Sequence, residues 1–263
     1  MIIIGEKLNS SVPATLRALE LGDTAAISEI VVRQTAAGAH YLDINTALCG
    51  ERELERMLFV LDIALSRSSC GIMLDSPDPN VIKAAADRLG SRPAILNSVT
   101  LTERLGELAP LAAERGYGVV GLPVEGGHIP RDAASRTENA LRLIDALVRA
   151  GIPEHNIYLD VLVQSLAADV KSAAQAIETI RRLRSVCPRV NTLCGLSNIS
   201  FGLPGRAVLN NAFLCAAISA GLTSAILDIT FDSTRKAIYA AKAVAGLDEY
   251  CLEYIEAMRE KQK

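Results

Sequence analysis

The chain has 263 residues, half of them hydrophobic, and a formal net charge of −3 with acids and bases mixed along its length. No apolar run approaches the ~20 residues that a membrane helix needs, and no basic cluster offers an electrostatic footprint for nucleic acid. The first residues, Met1 to Gly5, lack the basic region and cleavage site of a signal peptide, so a cytoplasmic protein is expected.

Short apolar, often β-branched runs alternate with helical patterns from end to end. In chain order the expected strands are Ile2–Ile4, Tyr41–Ile44, Gly71–Leu74, Ala94–Leu96, Gly118–Leu122, Ile157–Leu159, Val190–Leu193 and Ser224–Leu227. Amphipathic segments lie between them, with Asp23 placed to start the first helix and Pro79 the third. Gly38, Gly90 to Pro93, Gly151 to Pro153 and Gly221 mark joints. Strands that are apolar throughout are buried on both faces, which calls for a parallel sheet covered by helices. Eight such units predict an α/β fold, a single TIM (β/α)8 barrel over residues 1–263. An open doubly wound sheet is the alternative. Its usual glycine-rich phosphate loop is replaced here by Gly5 to Asn9, which is not Gly-x-Gly-x-x-Gly. The last stretch, Asp248 to Lys263, reads as a charged amphipathic helix packed outside the barrel.

In a barrel, the residues that close each strand face one mouth. They are Glu6 and Asn9, Asp43 and Asn45, Asp75, Asn97, Glu125, Asp160, Ser197 with Asn198, and Asp228. One Asp after a strand could be a helix cap, and Asp75 to Asp78 could supply one. The whole set argues instead for a polar site, with Lys7 and Arg206 as the nearby bases. None of the expected strands contains a lysine, which argues against Schiff-base chemistry. No histidine stands among the carboxylates, and His40, His128 and His155 lack metal-ligand spacing, so no metal is expected. Gly202, Gly205 and Arg206 keep a phosphate site open. Six cysteines without a Cys-x-x-Cys pair read as buried free thiols, Cys194 alone being near the site. A mouth rich in acceptors suits a neutral heterocycle rich in N–H donors, such as an aminopyrimidinone edge.

Six segments carry a recognisable pattern: Ile4-Gly-Glu-Lys-Leu-Asn9, Leu42-Asp-Ile-Asn45, Leu74-Asp-Ser76, Ile95-Leu-Asn-Ser98, Leu159-Asp160 and Gly195-Leu-Ser-Asn-Ile-Ser-Phe-Gly202. Together they resemble the pterin-binding barrel family over nearly the full length, and within it the methyltetrahydrofolate:corrinoid methyltransferases. The resemblance implies that Asp75, Asn97 and Asp160 hydrogen-bond the pterin ring and that Asn198 approaches the nitrogen bearing the methyl group. Gly195, Ser197 and Arg206 would shape the wall, with Glu6 and Asp43 as further substrate-binding residues. It implies methyltetrahydrofolate or tetrahydrofolate as substrate, and a homodimer. The corrinoid would come on a separate partner protein, because no histidine here sits in an Asp-x-His-x-x-Gly element. Dihydropteroate synthases share the barrel but carry a Ser-x-Lys element that is missing here. A non-catalytic pterin-binding subunit is the reading outside enzymology; it would not need Asn198.

Overall fold

A computed structural model describes residues 1–124 and 126–259. Eight parallel strands close into a barrel in chain order. They are β1 (Ile2–Asn9), β2 (Tyr41–Asn45), β3 (Gly71–Asp75), β4 (Ala94–Val99), β5 (Gly118–Gly121), β6 (Ile157–Asp160), β7 (Asn191–Gly195) and β8 (Ser224–Leu227). β1 pairs with β8 from Ile2 opposite Ser224 to Gly5 opposite Leu227, which shuts the ring. The helices wrap it: α1 (Pro13–Leu21), α2 (Thr24–Ala36), α3 (Glu53–Arg67), α4 (Pro79–Arg88), α5 (Leu105–Arg115), α6 (Ala133–Arg149), α7 (Ser172–Val186), α8 (Arg206–Ala220), α9 (Asp232–Val244) and α10 (Leu252–Arg259).

The two-residue alternation of a strand sorts its side chains between two cores. Leu42, Ile72, Leu74, Leu96, Val119 and Leu159 point outward into the helix layer. Ile4, Met73, Ile95, Val120, Tyr158 and Leu193 point inward and fill the lower barrel, joined by Ile2, Tyr41 and Ile226. Two glycines make room for the tyrosines. A Cβ on Gly71 would stand 2.3 Å from the Tyr41 ring, and one on Gly118 would stand 2.7 Å from that of Tyr158.

Several expected boundaries move. β1 runs on to Asn9, so Lys7 stands inside a strand, against the expectation that no strand holds a lysine. Its Nζ lies 3.2 Å from Asp228 Oδ2, in an ion pair across the barrel mouth. Asp75, Asn97 and Asp160 are the last or near-last residues of their strands rather than loop residues. β7 begins one residue later than expected and includes Gly195, and β5 stops before Leu122. A short α1 precedes the helix that Asp23 caps, where the Asp23 carboxylate accepts from Ala26 N. Asp78, not Asp75, caps α4 by accepting from Asn80 N. All six thiols are free, but only Cys70 and Cys194 are buried; Cys251, in the turn before α10, is exposed. The expected C-terminal helix is present as α10 to Arg259; residues 260–263 lie outside the described residues, as does Glu125.

Candidate active site

The inward alternation that buries Ile4, Met73, Ile95, Tyr158 and Leu193 places the residue two further on at the mouth. Those residues are Glu6, Asp75, Asn97, Asp160 and Gly195. They line one cavity of about 620 Å³ at the C-terminal end of the barrel, together with Asp43, Ser197, Asn198 and Arg206. The nine residues that the resemblance assigns to the site thus meet at one place, whereas Asn45 and Asp228, also expected at the mouth, do not line the cavity. Lys7, Asn9, Val12, Pro13 and Phe201 complete much of the wall.

Each polar group is held by a particular neighbour. Asn45 Nδ2 donates to Asp75 Oδ2 at 2.9 Å, and Asn97 Nδ2 rests 3.7 Å from Met73 Sδ. The Leu162 amide donates to Asp160 Oδ1 at 2.7 Å. Ser197 Oγ donates to Glu6, lying 2.8 and 2.9 Å from its two oxygens. Arg206 braces the 3-10 turn Leu196–Ser200 from outside, Nη2 donating to Ser197 O at 2.8 Å and Nε to Ser200 Oγ at 3.1 Å. Those bonds use part of the guanidinium, whose exposed remainder lines the cavity.

Asn198 differs from the rest. Its side chain is exposed to the cavity and makes no hydrogen bond among the described residues; only its carbonyl is engaged, by Phe201 N. A turn-capping amide would be bonded to its own loop, and this one is not. Gly195 lies beneath it, where a Cβ would come within 3.1 Å of Asn198 Nδ2.

Burial is the first cause that disfavours ionisation of the four carboxylates in the cavity. Asp160 is pushed up to about 6 by burial, opposed by the Leu162 amide and by Arg136. Burial first, then the charges of Asp75 and Glu6, raises Asp43 well above the ordinary carboxylate range, and its Oδ1 has no partner among the described residues. Burial raises Asp75, opposed by Asn45 and Arg104. It also raises Glu6, opposed first by Ser197. No three of the described His, Cys, Asp and Glu side chains stand close enough to hold a metal ion. Cys194 is buried behind β7 and does not line the cavity; burial raises its thiol far above the ordinary value, so it serves the core.

The arrangement offers fixed acceptors on one side, one unbonded amide on the other, and an aromatic ring at the rim. Phe201, 71% exposed, is the stacking candidate that composition alone did not single out. Its place in the Ser-Asn-Ile-Ser-Phe-Gly run was the available signal.

The family described as pterin binding enzyme matches residues 5–237. This chain belongs to it. The chain is 32% identical, over 263 residues, to a methylcorrinoid:tetrahydrofolate methyltransferase of Eubacterium limosum, covering 99% of this chain and 97% of that protein. It is 34% identical over 241 residues to the methionine synthase of Mycobacterium tuberculosis, covering 86% of this chain but 20% of that much longer protein. Among solved structures, the dihydropteroate synthase of Coxiella burnetii in complex with pteroic acid superposes with a TM-score of 0.68 at 20% identity, covering 94% of this chain and 93% of that one. That last likeness shows the shared barrel alone.

Proposed function

We propose that this family member transfers a methyl group between the ring nitrogen of methyltetrahydrofolate and the cobalt of a corrinoid carried by a separate protein, in either direction. The observation that carries the reading is the unbonded Asn198 amide facing the buried acceptors across a single cavity. The full-length likeness to the Eubacterium limosum methyltransferase supports it.

Asp75, Asn97 and Asp160 have the donor–acceptor character to hold an aminopyrimidinone edge. Each is fixed by its strand, so the ring's pose is set before reaction. The difficult part is the leaving group: a methyl on a tertiary amine departs only if the nitrogen gains positive character. An amide free to rotate can accept from N–H⁺ or donate to the lone pair, and Asn198 is the one so placed. Interactions that strengthen only in the transition state typically supply ~3 kcal/mol each. The corrinoid supplies the cobalt that takes up or returns the methyl group. None of the three histidines lines the cavity: His40 and His155 lie near the N-terminal ends of the strands, and His128 is exposed on the loop after β5 with its Nδ1 on Gly126 O. A corrinoid held by a separate protein fits that arrangement. The reading includes a single catalytic unit over residues 1–263, a cytoplasmic location and a homodimer, the last checked by light scattering.

The test is anaerobic visible spectroscopy of reduced cobalamin mixed with methyltetrahydrofolate and the protein. Formation of methyl-cobalt that depends on Asn198 supports the reading. Tight pterin binding with no methyl transfer to cobalamin or to any corrinoid protein favours a non-catalytic pterin subunit. Absence of pterin binding removes the assignment altogether.

A further inference from the structure

Arg136 belongs to α6, outside the barrel, yet only 1% of it is exposed, and it is one of the largest fully buried side chains. It sits on the helix's core stripe with Ala140, Leu143 and Leu147. Burying a guanidinium costs several kcal/mol unless its donors are used. Here Nε and Nη1 go to backbone carbonyls on two different mouth segments, while the buried Nη2 has no partner among the described residues. Nε donates to Pro130 O at 2.9 Å, and Nη1 to Val161 O at 3.2 Å and Leu162 O at 3.1 Å.

Leu162 is the residue whose amide holds Asp160 Oδ1, and its φ is +59°. A bulky side chain in that left-handed region is strained, and such a conformation persists only where its surroundings fix it. The surroundings are two hydrogen bonds running in opposite senses: the Leu162 carbonyl to Arg136, and the Leu162 amide to Asp160. The titratable and charged groups facing this cluster are the Cys194 thiol of β7, beside Asp160, and Asp132 and Asp169, beside the guanidinium.

We propose that Arg136 is a positioning residue for pterin binding: its fork on the Val161 and Leu162 carbonyls fixes the turn whose amide aims the Asp160 carboxylate into the cavity. The inference rests on the reading that Asp160 holds the pterin. A purely structural arginine would affect melting but leave pterin affinity alone in any variant that folds.

The experiment titrates tetrahydrofolate, anaerobically at pH 8, into the wild type, Arg136→Lys, Arg136→Gln, Asp160→Asn and the double variant Arg136→Lys/Asp160→Asn. Circular dichroism establishes which of them fold. The lysine keeps the charge but cannot serve Pro130 O and the Val161 and Leu162 carbonyls together, so affinity falls about tenfold while kcat at saturating pterin stays within about twofold, on the scale expected for a misaimed contact. In the Asp160→Asn background the same substitution costs nothing further, since the two act as one unit. Wild-type affinity in a folded Arg136→Lys or Arg136→Gln, or a full additive loss in the double variant, overturns the proposal. Should neither Arg136 variant fold, the guanidinium Nη1–H resonances of the wild type decide. They shift on tetrahydrofolate binding if the Leu162 turn links them to the site, and a flat response overturns the linkage. Failure of the wild type to bind tetrahydrofolate would instead strike at the function proposed above.

Discussion

Asp160→Asn should make the protein more stable and the site worse. The Asp160 carboxyl is pushed from the ordinary 3.8 to about 6 by burial. Below about pH 4 the group is protonated in both folded and unfolded chains and costs nothing. As pH rises from 4 to 6 the unfolded chain gives up its proton more readily, so stability falls; above 6 the penalty is complete. Two units at 1.36 kcal/mol each give an upper figure of about 3 kcal/mol. The carboxylate keeps an open edge on the cavity, and water there reduces this to roughly 1–3 kcal/mol. The amide replaces the carboxylate without charge, and its oxygen still accepts from Leu162 N. Asp160→Asn should therefore melt higher at pH 7.5 by roughly 3–8 °C. The gain should shrink to nothing near pH 4, while tetrahydrofolate affinity falls. Scanning calorimetry across pH, paired with pterin titration, reads both. A variant that melts lower at neutral pH, or a gain of equal size at pH 4 and 7.5, would refute the burial argument.

Asn198→Ala removes an exposed amide with no protein partner, so its stability should stay within about 0.5 kcal/mol of wild type. Its methyl-transfer rate should drop roughly a hundredfold or more; an unchanged rate removes Asn198 from the chemistry. Gly195→Ala places a Cβ 3.1 Å from Asn198 Nδ2, at a residue whose φ of −79° tolerates any side chain. Stopped-flow spectroscopy should show a rate loss of roughly tenfold from the displaced amide, with melting unchanged. Ser197→Ala takes away the hydrogen bond that holds the Glu6 carboxyl down, so burial and Asp228 then act with less opposition. Its titration midpoint, followed by carbon NMR, should rise; a fall or no movement contradicts the assigned cause.

The barrel was legible because each strand carries an apolar run buried on both faces, and the site because polar residues recur where those runs stop. The same signal misled at the boundaries. Glu6, Lys7, Asp75, Asn97 and Asp160 look like the start of loops, whereas at the mouth of a barrel an inward position is wet and a strand can carry a charge there. That is why Lys7 was placed outside β1. Exposure was harder to see. The setting of Cys251 says little about burial, since it depends on how tightly the last segments pack. Arg136 was hidden by its type: an arginine in a helix reads as surface, although its spacing with Ala140, Leu143 and Leu147 put it on the apolar stripe. Its carbonyl partners, Pro130 on the preceding loop and Val161 and Leu162 on the turn after β6, are announced by no local pattern.

The inward-facing tyrosines and aliphatic side chains that fill the lower barrel leave the cavity a single doorway. On the proposed reading, one doorway dictates traffic: the small pterin must be aboard before a corrinoid carrier covers the opening, and it can leave only after the carrier has lifted away. Excess carrier protein should then slow turnover by sealing barrels that are still empty.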